Sequence, residues 1–457
     1  MTKKTYFLTS LGCAKNSVDS DSIGQLLDRD GYRAVRSPEK AGVLIVNTCG
    51  FIGPAREESY QVLRSLASAK SPGQLLIAAG CLTQRYGEEV ARQVPGLDGI
   101  LGTRRWMDIL QVVNGLRKSP HPQPIYHLPN DATIGQDEQA TLRASRAGGG
   151  AFLKIADGCR RPCAFCAIPL IKGTTVSRPM EAILAEARQL RERGVRELIL
   201  IAQDTTDYGH DIGLRDGLAI LLENLTRSVP DMDWIRIMYA FPGYVTDRLI
   251  DMMATNRQIL PYLDIPLQHA HPATLTRMRR PANIDWVHAT IAKMRAALPG
   301  LAIRTTFIVG YPGETEAEFE TLLDFVRSMR FDRVGAFEFS FEPGTASEAL
   351  GDPVPAEVKR ERYERLMELQ QGISLQINQS FVGKELPVIV DGFDAEQNIA
   401  LARSYRDAPE VDGWVLLEGS QPGDIRSLVQ MGQIVPARVT GVLAYDLNAT
   451  LIKKRDG

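Results

Sequence analysis

Cysteine is scarce in this sequence, with six in 457 residues, and no uninterrupted apolar run is long enough to span a bilayer. The N-terminal stretch MTKKTYFLTSLGC has neither the long apolar region nor the cleavage site of a signal peptide. No membrane association and a cytoplasmic location are therefore the expectation. The net charge of -2 supplies no global basic field of the kind that advertises nucleic-acid binding, although a local patch could still hold RNA. In a reducing compartment disulfides are not expected. That leaves metal ligation, catalysis or plain burial for Cys13, Cys49, Cys81, Cys159, Cys163 and Cys166. The composition, 44% hydrophobic and 24% charged, is that of an ordinary globular chain, and its length calls for two to four domains.

Three regions follow from the pattern. Residues 1 to about 116 alternate short apolar runs with amphipathic stretches, which predicts a parallel α/β layer and a first domain over 1–135. Here TYFLTSLGC, VLIVNTC and LLIAAGC read as strands that each end at a cysteine. In open parallel sheets ligands gather at the carboxyl ends of strands, so three cysteines delivered there suggest a shared site; chance placement of three buried cysteines is the alternative. From about 117 to 150 the chain is rich in Pro, Gly and polar groups and reads as a linker in which His121 and His127 face solvent. Residues 145–375 contain six strand candidates separated by helical segments, from AFLKIADGC to RVGAFEFS. This predicts a partial (βα)6 barrel, short of the usual eight units, with its active groups on the loops after the strands. A long helix over 355–380 leads to residues 380–457. Their five short β-like runs predict a small antiparallel barrel.

The segment DGCRRPCAFCAIP carries Cys159, Cys163 and Cys166 as Cys-x3-Cys-x2-Cys directly after the first barrel strand. Three thiolates on one loop can hold three irons of a four-iron cluster and leave the fourth open to a substrate. Zinc is the competing ligand. A structural zinc site usually takes four protein ligands, and no fourth cysteine or histidine stands in this stretch.

This motif and its position resemble the radical S-adenosylmethionine superfamily. The resemblance implies S-adenosylmethionine chelated by the open iron and cleaved to a 5′-deoxyadenosyl radical, with Cys159, Cys163 and Cys166 as the catalytic ligands. It implies cofactor-binding roles for Phe165, Gln203, Gln268, Gly310, Gly313 and Glu314. The last three lie in TTFIVGYPGETEAEF. Asp204 and His269 also end strand candidates, and for all such polar residues helix capping is a competing role. His271 and His288 belong to no motif and read as structural.

The segments SLGCAKNSVDS, VNTCGFI and AAGCLTQRYG, and the order α/β domain, radical barrel, small β-barrel, resemble the methylthiotransferases over essentially the entire chain. In that family the last module is the TRAM domain. The resemblance implies two 4Fe-4S clusters, the second on Cys13, Cys49 and Cys81. It also implies two molecules of S-adenosylmethionine per methylthio group transferred, and a one-electron reductant such as a flavodoxin-type donor.

The family divides between transfer-RNA adenosine and a ribosomal-protein aspartate as substrate. From Phe381 to Gly457 eight Lys and Arg stand against eleven Asp and Glu, and three of the positives are Lys453, Lys454 and Arg455. An acidic module suits a basic protein partner better than RNA phosphates, though such a balance can also serve solubility alone. The run ARSYRDAPEVDG resembles the ribosomal-protein branch, apart from Tyr405. It implies substrate contacts from Arg403, Arg406, Asp407, Glu410 and Asp412, against the plainer alternative of a solvated loop. The expected reaction is methylthiolation at the β-carbon of an aspartate in small-subunit ribosomal protein twelve. The alternative is a modified adenosine in transfer RNA.

Overall fold

The computed structural model describes residues 4–118, 123–131, 141–419 and 423–452. His121, Lys453, Lys454 and Arg455 lie outside them. The chain folds as two units. One comprises residues 1–145, 153–179 and 340–349; the other comprises 146–152, 180–339 and 350–457. The division groups the 159–166 cysteine loop with the N-terminal sheet, whereas the sequence pattern assigned it to the central region.

The first unit holds a six-stranded parallel sheet in the order Arg33–Ala34, Thr5–Ser10, Val43–Thr48, Leu75–Gly80, Gly99–Gly102, Ile125–His127. The run VLIVNT is buried along its whole length. Such a run suits a central strand covered on both faces. One face packs on Ile23, Leu27, Trp106 and Val113, the other on Tyr60, Leu63, Leu82 and Val90. The strand order reverses between Thr5–Ser10 and Val43–Thr48, which makes the carboxyl ends of those two strands the switch point of the sheet. Three strands were not anticipated: Arg33–Ala34 and Ile125–His127 at the edges, and Gly99–Gly102 inside the sheet. They are two to four residues long, too short for alternation to reveal. His127, expected in solvent, is instead half-buried, with Nε2 2.6 Å from Asp108 Oδ2.

In the second unit the sheet runs Arg333–Glu338, Ala302–Val309, Ile259–Asp264, Trp234–Ile237, Glu197–Ile201, then Gly150–Lys154 and Ala144–Ala147, of which residues 146–152 belong to this unit. The pairings from Glu197 through Glu338 are parallel. This sheet does not close, in keeping with a partial barrel. Helices follow its strands, and Glu316–Met329 starts at a capping box in which Thr315 and Glu318 satisfy each other's backbone amides. The helix Ala356–Gln379 leads into a closed five-stranded barrel of Glu385–Asp394, Ile399–Arg403, Val415–Glu418, Leu447–Leu451 and Ile434–Val442. Val388, Val390, Val415, Leu417 and Val439 fill it. The barrel is antiparallel except where Val415–Glu418 pairs parallel with Leu447–Leu451; five strands in a closed ring cannot alternate direction at every pairing.

Candidate active site

Cys13, Cys49 and Cys81 follow three neighbouring strands of the first unit. Cys13 is the N-cap residue of the helix Ala14–Arg29, and Cys81 is the first residue of the helix Cys81–Gln93. Close backbone approach brings the three together. A Cβ on Gly12 would lie 2.9 Å from Cys49 Cβ, and one on Gly50 would lie 2.5 Å from Leu82 Cα. Asn16, which sequence reasoning passed over, ties the loops. Its Nδ2 donates to Leu11 O at 2.8 Å and Thr48 O at 3.0 Å, while its Oδ1 lies 3.7 Å from Cys81 Sγ. Burial raises the Cys49 thiol and pushes Cys81 up to about 12, against the pull of Lys172. Metal binding at this site must therefore displace protons.

Cys159, Cys163 and Cys166 line an open cavity of about 390 Å³ together with Arg160, Arg161 and Thr345. The loop is held by Cys159 N donating to Gly173 O at 3.0 Å, Cys166 N to Cys163 O at 3.2 Å and Ser347 N to Ala164 O at 2.8 Å. Phe165 is half-buried. Among the described residues no three Cys, His, Asp or Glu groups converge tightly enough to share one metal ion. A four-iron cluster takes one thiolate at each of three corners, the donor number that each triad offers, whereas a structural zinc ion takes a fourth protein ligand. Cys81 packs against Ala167, the residue after Cys166, and against Ile171.

Beneath the triads lies a buried charge network that the sequence did not announce. Asp19 accepts from Arg143 at 2.5 Å, Lys154 at 2.6 Å and Lys172 at 3.0 Å, and Asp157 from Lys154 at 3.2 Å and Lys172 at 3.1 Å. These cations hold both carboxyls below their ordinary values despite burial.

In the second unit the strand ends gather other expected groups. Gln268 has φ 75, a strained value for a residue with a side chain, and bridges to the Ala302–Val309 strand through Thr306 O and Ile308 N, each at 2.8 Å. His269 Nε2 lies 3.8 Å from Glu314 Oε2. Burial lowers His269 to about 3 and raises Glu314 to about 7, the latter opposed by Arg362 at 3.0 Å. Gly310 and Gly313 flank the turn that Glu314 braces by accepting from Tyr311 N at 3.1 Å. Gln203 stands after Glu197–Ile201, two strands away from Ile259–Asp264.

The RDAPEVDG loop has a different task from the one expected. Arg403 pairs with Glu197 at 2.7 Å and with Asp391; Arg406 pairs with Asp332 at 3.0 Å; Asp407 pairs with Arg333 at 2.6 Å; and Asp412 accepts from Tyr262 at 2.7 Å and lies 3.4 Å from Arg304. Arg403, Arg406, Asp407 and Asp412 have side chains 1–2% exposed. They weld the small barrel to the open sheet and cannot meet a substrate without the weld opening. Glu410 alone of the five is exposed.

Residues 5–102 match a family described as uncharacterized protein family UPF0004, residues 153–326 the radical SAM superfamily and residues 382–452 the TRAM domain. The ribosomal protein uS12 methylthiotransferase RimO of Chloroflexus aurantiacus is 48% identical, over 97% of this chain and 98% of that protein. Its namesake in Roseiflexus sp. strain RS-1 is 44% identical, over 98% and 97%. This chain belongs to the RimO family. The radical S-adenosylmethionine methyltransferase TsrM of Kitasatospora setae, solved with cobalamin and a [4Fe-4S] cluster, is 11% identical. It aligns over 84% of this chain and 76% of its own with a TM-score of 0.56, a likeness of fold. Among the described residues of this RimO-family chain no helix is long and apolar enough to cross a membrane.

Proposed function

We propose that this RimO-family chain methylthiolates the β-carbon of an aspartate in small-subunit ribosomal protein twelve, as a radical SAM methylthiotransferase of the cytoplasm. The division of labour follows 1–135 for an auxiliary cluster, 145–375 for radical generation and 380–457 for recognition. Cys159, Cys163 and Cys166 would hold one 4Fe-4S cluster, and Cys13, Cys49 and Cys81 a second. Phe165, Gln203, Gln268, Gly310, Gly313 and Glu314 would bind S-adenosylmethionine. When bound, these groups would supply a 5′-deoxyadenosyl radical and a methylthio group, with electrons from a flavodoxin-type donor. The observation that carries the two-cluster reading is the packing of Cys81 on Ala167, which puts the two triads on adjoining segments.

The chain's own contribution is placement. Asn16 holds the Cys13 loop against Thr48, and Lys172 lowers the cost of a thiolate at buried Cys81. Glu410, on the surface of the acidic barrel, is the proposed contact to a basic protein, and its loop is held by Arg403, Arg406, Asp407 and Asp412. RNA contact is not part of this reading.

The test is an anaerobic reaction of cluster-reconstituted enzyme with S-adenosylmethionine and reductant. Ribosomal protein twelve and transfer RNA are supplied in parallel tubes, and the products are read by mass spectrometry. A methylthio mass increase on an aspartate of the protein is expected. An increase on transfer-RNA adenosine alone would overturn the substrate assignment.

A further inference from the structure

Lys172 ends the short helix Ile168–Lys172, which begins two residues after Cys166. Its ammonium lies 3.0 Å from Asp19 and 3.1 Å from Asp157, with 2% of the side chain exposed. Two carboxylates on one ammonium over-determine its position. The same helix carries Ile171, against which Cys81 packs. Asp19, which its ammonium meets, lies on the helix Ala14–Arg29 that Cys13 caps. If the two carboxylates needed only a cation, Lys154 already provides one, at 2.6 and 3.2 Å. Arg143, Lys154 and Lys172 all meet Asp19, and of these three it is Lys172 that follows directly on a residue, Ile171, packed against Cys81.

We propose that Lys172 is a positioning residue of the auxiliary centre, a fixed buried positive charge that raises the reduction potential of the cluster held by Cys13, Cys49 and Cys81. The proposal rests on the two-cluster reading above. One-electron reduction adds one negative charge to the cluster and breaks no bond; the electron comes from the external one-electron donor. A neighbouring ammonium in a water-poor interior favours the more negative state, because Coulomb energy there is weakly screened. Asp19 and Asp157 fix where that ammonium stands.

The experiment uses full-length protein carrying Cys159→Ala, Cys163→Ala and Cys166→Ala, so that only the auxiliary cluster can assemble. An anaerobic potentiometric titration is followed by electron paramagnetic resonance. Lys172→Met is expected to lower the reduced-to-oxidised ratio at fixed potential at least tenfold, which for a one-electron couple is about 59 mV. Lys172→Arg, which keeps the charge, is expected to stay within about threefold, less than half that interval on the same scale. Lys154→Met removes an equally buried ammonium from the same network and is expected to shift the ratio less than Lys172→Met does. No shift in Lys172→Met, or an equal shift in Lys154→Met, would overturn the proposal. If Lys172→Met assembles no cluster, iron content decides. Iron lost in Lys172→Met and kept in Lys172→Arg and Lys154→Met supports it; iron lost in Lys154→Met as well refutes it. An absence of iron in the parent triple variant would instead defeat the two-cluster reading, and this proposal with it, before Lys172 is touched.

Discussion

The two cysteine triads are built in opposite ways. Cys159, Cys163 and Cys166 come from one loop of eight residues, held by backbone hydrogen bonds within it, to nearby Gly173 and, from farther along the chain, to Ser347. Cys13, Cys49 and Cys81 come from three strand ends spread over 69 residues and meet only once the parallel sheet has formed. A local triad depends on its own turn geometry. An assembled triad depends on strand order, on close backbone contact at Gly12 and Gly50, and on Asn16. If each triad holds the cluster proposed for it, the two centres differ in how much folding they require, so perturbing the sheet should empty one before the other.

The largest expected effect splits the triads by chemistry. Cys159→Ala, Cys163→Ala or Cys166→Ala should reduce S-adenosylmethionine cleavage to the blank, measured as 5′-deoxyadenosine. Cys13→Ala, Cys49→Ala or Cys81→Ala should keep that cleavage while methylthio transfer stops. Transfer retained in any of the last three would break the comparison.

Asp19→Asn tests the feature the triads share, because Asp19 follows Cys13 in its helix and pairs with Lys154 and Lys172 beside the other loop. Leaving buried cations short of a carboxylate should cost about 3–5 kcal/mol, read by denaturant unfolding. Asp19 is held ionised in the folded chain well below its ordinary range. Its stabilisation is therefore full above the unfolded value near pH 3.8 and is lost only in stronger acid. A loss under about 1 kcal/mol, the size of a surface pair, would show that the network is not buried in solution.

Gly50→Ala acts on the assembled triad alone. Its Cβ would meet the backbone of Leu82 at 2.5 and 2.7 Å, which no side-chain rotation relieves, and overpacking of this kind costs about 1–3 kcal/mol. Iron content should fall by about half, since each four-iron cluster contributes equally. Cleavage of S-adenosylmethionine should continue. Equal loss of both clusters would remove the distinction between local and assembled.

The smallest effect concerns recognition. Glu410→Gln should weaken capture of the ribosomal protein by up to about 1 kcal/mol, seen as a raised KM that salt diminishes, with kcat and iron content unchanged. A change in iron content would assign Glu410 to the fold instead.

Much of this architecture was legible because its signals are local. The Cys-x3-Cys-x2-Cys spacing, the three strands ending in cysteine and the five β-runs of the small barrel can each be read within a dozen residues. What was not legible is long-range. Asp19 and Lys172 are 153 residues apart and meet at 3.0 Å; nothing in either segment alone announces a shared ion pair. The RDAPEVDG charges looked like a surface because charged residues usually are one. Their partners Glu197, Arg333 and Arg304 sit on separate strands of another sheet, so only the fold shows that the loop is a weld. The edge strand Ile125–His127 was hidden by the Pro-rich stretch around it.

The most direct test of two centres on one chain is iron and zinc quantification with Mössbauer spectroscopy on the anaerobically reconstituted wild-type protein and its Cys13→Ala/Cys49→Ala/Cys81→Ala variant. About eight irons are expected in the wild type and about four in the variant, all in four-iron clusters and without zinc. About four irons in both proteins, or zinc in either, would contradict two centres on one chain.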